Sequence, residues 1–153
     1  MSRRTRIAGV LIGTSLLAAC FAPEDRRPGL ALPGELQDEH PDDWAFTDEN
    51  REIAIEVRTP YWIPHSVTIW CASVDGDLYV GARDPETKNW PGWADRDPRV
   101  RLLIDGRIFE GQLLPVDDPA RIERIRAAYR QKYDLEEMSP RVRYWQFGPA
   151  NDA

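Results

Sequence analysis

Two histidines and two cysteines are the chain's whole stock of the side chains that most readily act as nucleophiles, proton shuttles or soft metal ligands. They are not spaced for it. His65, Ser66 and Thr68 fall close together on one expected strand, too near along the chain to form a Ser–His–acid triad by themselves. His65, after Pro64 at a strand start, reads as structural, with haem or metal ligation the rarer use of such a residue. Cys71 sits in TIWCASV and reads as a small buried hydrophobe, with no base or cation beside it in sequence. No His/Cys/Asp/Glu group has metal-ligand spacing, and no GxSxG, GxGxxG, P-loop or paired-carboxylate motif occurs. The sequence therefore assigns no catalytic side chain and no metal ligand. If the chain is an enzyme, a bound cofactor carries the chemistry.

Cys20 has a different chemistry. Arg3, Arg4 and Arg6 precede an apolar run, Ile7 to Ala19, that is too short to span a bilayer as a helix. Basic flank, short apolar core and small residues before a cut form a secretory signal. Leu17-Ala18-Ala19-Cys20 resembles the lipobox of bacterial lipoproteins, which implies cleavage after residue 19 and acylation of Cys20. More than one acyl chain gives stable anchoring, at about 0.8 kcal/mol per buried methylene. Phe21 rather than Asp after the cysteine implies, by the same resemblance, the outer membrane facing the periplasm where there are two membranes. Lipidation of Cys20 would leave Cys71 alone, so no intrachain disulfide is expected.

Removal of the leader takes three of the 20 basic residues and none of the 26 acidic ones, leaving a formal charge of about −9. An acidic chain without a basic run argues against nucleic acid as a partner and against electrostatic membrane binding. The absence of a second apolar span excludes a membrane-spanning or transport role.

The elements that must position any site lie further along. Residues 20–43 carry Pro23, Pro28, Pro33 and Pro41 among glycines and charges, and are expected to be a flexible tether with His40 solvated. A single domain is expected over 44–149. Arg51–Thr59 alternates Ile53, Ile55 and Val57 against polar residues, a half-buried strand. Pro60 and Pro64 make Tyr61–Ile63 a turn or edge. Ser66–Val74 with Leu78–Arg83, and Arg99–Ile104 with Arg107–Val116, are expected hairpins around Asp75-Gly76 and Asp105-Gly106. Between them the NWPGW segment reads as an aromatic loop. Asp118–Asp134 is the one good helix, with Asp118 as cap and Pro119 in its first turn. Arg141–Phe147 is a last strand. The expected fold is mainly β (α+β): a six-stranded antiparallel barrel with one late amphipathic helix.

The order TIW, Asp-Gly, LYVGAR, Lys88-Asn89-Trp90, Asp97-Pro98-Arg99-Val100 and Ile104-Asp105-Gly106 resembles the split β-barrel superfamily of pyridoxamine-phosphate-oxidase-like flavin proteins. The resemblance covers roughly residues 52–147. It implies a homodimer with flavin mononucleotide (FMN) in the groove between subunits, and flavin-dependent redox chemistry on a small molecule. It places Thr68, Ile69 and Trp70 on the strand lining the flat ring. Gly81 and Ala82 fall where small residues admit the ring or phosphate, and Lys88 and Arg83 where cations meet the phosphate. Trp90, with Trp93, could cap the ring or close the barrel mouth. Thr87 and Asn89 add donors of the kind phosphate takes. Asp84 and Glu86 would oppose a phosphate unless turned away. The second reading is the same barrel without cofactor, an envelope binding or interaction module; haem binding through His65 or Cys71 is the third.

Overall fold

The computed structural model describes residues 22–24 and 27–150. The expected leader and Cys20 lie outside the described residues. Among the described residues there are eight strands: β1 (Glu35–Leu36), β2 (Ile53–Val57), β3 (His65–Ile69), β4 (Cys71–Val74), β5 (Asp77–Arg83), β6 (Arg99–Ile104), β7 (Arg107–Pro115) and β8 (Val142–Gly148). Two helices, α1 (Asn89–Arg96) and α2 (Pro119–Tyr133), complete the frame.

The strands run antiparallel in the order β3-β2-β6-β7-β8-β5-β4, and β1 joins β7 in parallel. Only Trp70 separates β3 from β4, so the two ends of this order are one strand bent at Trp70. That covalent link closes the sheet into the expected six-stranded barrel. The expected Ser66–Val74 strand is thus real but interrupted. The Trp70 carbonyl leaves the ladder and accepts a hydrogen bond from Tyr129 Oη on α2 (2.9 Å).

Both Asp-Gly turns close as read. Val74 pairs with Asp77 and Ile104 with Arg107 across two-residue loops. Asp75 and Gly76 (φ 55° and 87°), like Asp105 and Gly106 (51° and 75°), take the paired positive φ values of the turn that matches strand twist. The alternating strands send Ile55, Val57, Val80, Leu102, Ile104 and Leu113 inward around Trp145 and Phe147. Helix α2 begins where Asp118 Oδ2 accepts from Arg121 N (2.9 Å) and ends at Asp134 (φ 53°). Its Ile125, Tyr129 and Tyr133 pack on Ala72, Tyr79 and Tyr144, on the outer side of β4, β5 and β8.

Two expectations change. NWPGW is not a loop but the start of α1, where Pro91 lies in the first turn and needs no N–H partner. Trp90 and Ala94, one turn apart, are buried in the barrel core, which gives the segment a helical apolar face despite its Pro and Gly. The second half of the expected tether is also packed on the barrel. Gly29 and Ser66 exchange backbone hydrogen bonds, Leu32 packs with Ala54, Leu103 and Ile108, and β1 runs beside Arg107–Ile108. His40 is half-buried rather than free in solvent: its ring stacks on Phe147 at 5.0 Å and its Nε2 contacts the Glu110 carbonyl at 2.6 Å. Composition alone hid this strap because its contacts come from single residues without periodicity.

Candidate functional site

The end of β5 gathers the expected phosphate residues. After Arg83 the chain turns through Asp84, in left-handed conformation (φ 50°), into a short 3-10 turn, Pro85–Thr87. That turn brings Lys88 back so that its Nζ donates to the Arg83 carbonyl (2.5 Å). Thr87 Oγ1 donates to the Asp84 carbonyl (2.7 Å). Asp84 does not stand as a free negative charge. Arg141 Nε lies 2.8 Å and Arg83 Nε 3.8 Å from its carboxylate. Two cations, Arg83 and Arg141, therefore flank the carboxylate, while Lys88 is tied to the backbone beside it and Glu86 is exposed. The donor set suits a phosphate dianion. Arg141 is distant in sequence and is brought here just ahead of β8, the strand that pairs with β5.

The ring-side residues divide differently. The β4–β5 register ends at Cys71 opposite Val80, one residue from both Trp70 and Gly81, and Tyr129 Oη reaches both the Trp70 carbonyl and the space beside Gly81. Ile69, Ala82 and Trp90 point into the barrel core, where Trp90 packs on Trp145 at 5.3 Å. Trp90 thus closes the barrel. Gly81 faces α2, and a Cβ there would meet the Tyr144 ring at 3.1 Å and Tyr129 Oη at 3.3 Å. The room that glycine leaves is filled by the chain's own tyrosines. Trp70 stacks on Tyr133 at 4.2 Å and 8° and stays partly exposed. Thr68 is half-buried on the outer face, paired with Ala54. Arg83, Thr87 and Lys88 are exposed at the end of β5 and are donors of the kind a phosphate takes; on the ring side Trp70 is exposed and Thr68 half-buried.

Cys71 is buried, and burial pushes its thiol above the usual range despite Lys132 Nζ at 3.4 Å, which pulls the other way. Its backbone is held on both sides by Tyr133 Oη, at 3.0 and 2.9 Å. Burial also drives Tyr129 and Tyr133 well above the usual phenol range. His65 packs edge-on against Trp93 at 4.9 Å, and burial lowers its imidazole below the ordinary value. Among the described residues no group of three His, Cys, Asp or Glu could hold a metal ion, and no helix is long and apolar enough to cross a membrane.

A groove of about 500 Å³ lies elsewhere, between the 58–64 loop and β6. Trp62, Ile63 and Pro64 form one wall, and Arg58, Arg99 and Arg101 the other. Arg99 grips Asp97 through two hydrogen bonds (2.8 and 2.7 Å), which holds that carboxyl below its usual range. None of the eight expected residues lines this groove.

Residues 45–146 match the model of a family described as "Uncharacterized protein conserved in bacteria (DUF2255)". A search of curated proteins finds no match. Among solved structures, the conserved hypothetical protein Rv2991 from Mycobacterium tuberculosis superposes with a TM-score of 0.58 at 18% identity, covering 75% of this chain and 87% of that one. A putative pyridoxamine 5'-phosphate oxidase from Listeria innocua gives 0.53 at 20% identity, covering 70% and 90%. A putative 5-nitroimidazole antibiotic resistance protein from Bacteroides thetaiotaomicron gives 0.57 at 11% identity, covering 72% and 80%. At these identities the likeness shows the fold, and the fold is that of the pyridoxamine-phosphate-oxidase-like barrels.

Proposed function

We propose that this chain, which belongs to the DUF2255 family, is a lipid-anchored envelope protein that binds FMN or a related flavin and takes part in small-molecule redox chemistry. The observation that carries the reading is the gathering of three cations at the end of β5, with Arg83 and Arg141 on the Asp84 carboxylate and Lys88 Nζ on the Arg83 carbonyl. Arg83 and Lys88 hold the phosphate, and Thr87 and Asn89 supply further donors. Arg141 neutralises the carboxylate that would otherwise repel it. The flavin, when bound, supplies hydride transfer; the protein's part is to bind and orient it. The flat ring lies against Thr68 and Trp70, and a second copy of the chain covers its other side in a homodimer. Acylated Cys20 holds the assembly in the envelope, at the outer membrane where there is one.

A second reading is favoured by a specific observation: Tyr129, Tyr133 and Tyr144 already fill the space beside Gly81 and Trp70. On that reading the barrel is a cofactor-free binding module. Gel filtration of the protein after mixing with FMN separates the two. Flavin absorbance co-eluting with a dimer supports the first reading, and a colourless folded protein supports the second.

A further inference from the structure

Trp62 is 93% exposed, the most exposed of the large apolar side chains among the described residues. It sits at φ 65°, a conformation that L residues with bulky side chains seldom adopt. The turn that holds it there is braced. Trp62 N donates to the Thr59 carbonyl (3.2 Å), and Thr59 Oγ1 donates to the Ile63 carbonyl (2.7 Å). Pro60 and Pro64 flank it, and Tyr61 packs edge-on against Trp93 at 5.9 Å. The tip presents Tyr61, Trp62 and Ile63, each more than half exposed. Leu30, 43% exposed, lies close by, because Ser66 Oγ donates to its carbonyl (2.7 Å) and Ser66 follows Ile63 by three residues.

We propose that the Tyr61–Trp62–Ile63 tip, together with Leu30, seats in the surface of the lipid bilayer and fixes how the barrel sits on the membrane. This rests on the reading that Cys20 is acylated. The length of chain supports it. Eight residues lie between Cys20 and Gly29, where the strap is pinned to Ser66, and those nine residue-to-residue steps span at most about 30 Å. Glu24 and Arg27 exchange hydrogen bonds (3.3 and 2.8 Å), which shortens that further. An acyl chain on Cys20 therefore holds the Ser66 end of β3, and the apolar tip beside it, within one short tether of the lipid. Trp and Tyr favour the headgroup level, where an apolar ring and a polar edge are both satisfied. The arginines nearest the tip are paired, Arg58 and Arg99 with Asp97 and Arg101 with Glu56 and Glu110, so the contact proposed is apolar rather than electrostatic. Strap and tip act together: one sets the distance, the other the orientation.

The test uses the full chain expressed with its leader, purified in detergent and reconstituted into vesicles of phosphatidylethanolamine and phosphatidylglycerol. Mass spectrometry reads the acylation of Cys20, and flotation reads anchoring. Trp fluorescence is then recorded with lipids brominated at shallow and deep positions, for the native chain and Trp62→Phe. The difference between the two reports Trp62 alone. Shallow bromines should quench that difference by about half or more, and deep ones less. A chain that is acylated and floats, yet shows an unquenched Trp62 difference, overturns the proposal while leaving the anchor intact. An unquenched difference with a dimer lost in Trp62→Ala would make the tip a contact between copies, which also overturns it. An unacylated Cys20 removes the anchor reading, and the proposal with it.

Discussion

Gly29 and Ser66 exchange two backbone hydrogen bonds, at 2.8 and 3.0 Å, across the otherwise free edge of β3. An exposed strand edge is a template for pairing with other chains, and here the chain's own N-terminal strap covers part of it. The same strap buries Leu32 on the outer face of the barrel and lays β1 beside β7. It is a structural part of the domain.

Leu32→Ala should therefore destabilise the barrel by about 2 kcal/mol or more, since it removes a buried side chain packed on Ala54 and Ile108. Urea unfolding followed by circular dichroism reads this as a lowered midpoint. An unchanged midpoint would mean that the strap lies loosely on the domain.

The barrel closes through Trp70, whose carbonyl is taken by Tyr129 Oη. Tyr129→Phe leaves that carbonyl without its donor and should cost about 1–3 kcal/mol, with the urea m-value unchanged. A neutral result would indicate that water replaces the phenol at the bend.

These two contacts mark the boundary of what was legible from the residues. The Asp-Gly hairpins, the capped helix α2 and the six-stranded barrel follow from local signals: turn chemistry, period-two alternation and a cap at Asp118. Helix α1 was hidden because Pro91 and Gly92 signal a break, while the burial of Trp90 and Ala94 that drives the helix is a tertiary event. The strap was hidden because a proline-rich acidic segment needs only Leu32 and a few backbone bonds to dock. At the site, Arg83 and Lys88 were visible as neighbours in one loop. Arg141, which pairs Asp84, and Lys132, which reaches Cys71, come from elements brought together only by folding.

Cys71 illustrates the same point chemically. A lysine 3.4 Å away would suggest an activated thiol, but burial outweighs it and the thiol is held above its usual range. Dithionitrobenzoate should react with native Cys71 about 100-fold more slowly than with the urea-unfolded chain. Equal rates would mean that the thiol is accessible and activated.

His65 gives a pH dependence with a definite sign. Burial lowers its imidazole below the ordinary 6.5, so below that pH the unfolded chain binds more protons than the folded one. Its contribution is intact above 6.5 and is lost as the pH falls toward the lowered folded value. The urea midpoint should drop between about pH 7 and about pH 5, and His65→Gln should flatten part of that slope. An identical slope in His65→Gln would place the titration elsewhere.

The central claim is that Arg83 and Lys88 hold a flavin phosphate, and one measurement addresses it directly: parallel fluorescence titrations of the protein with FMN and with riboflavin, repeated on Lys88→Ala. Charge-assisted hydrogen bonds to the phosphate should make FMN bind at least about 10-fold tighter than riboflavin, a difference of about 1.4 kcal/mol. Lys88→Ala should erase most of that preference while leaving riboflavin binding unchanged. Equal affinity for the two flavins, or no binding of either by the folded protein, would contradict the account.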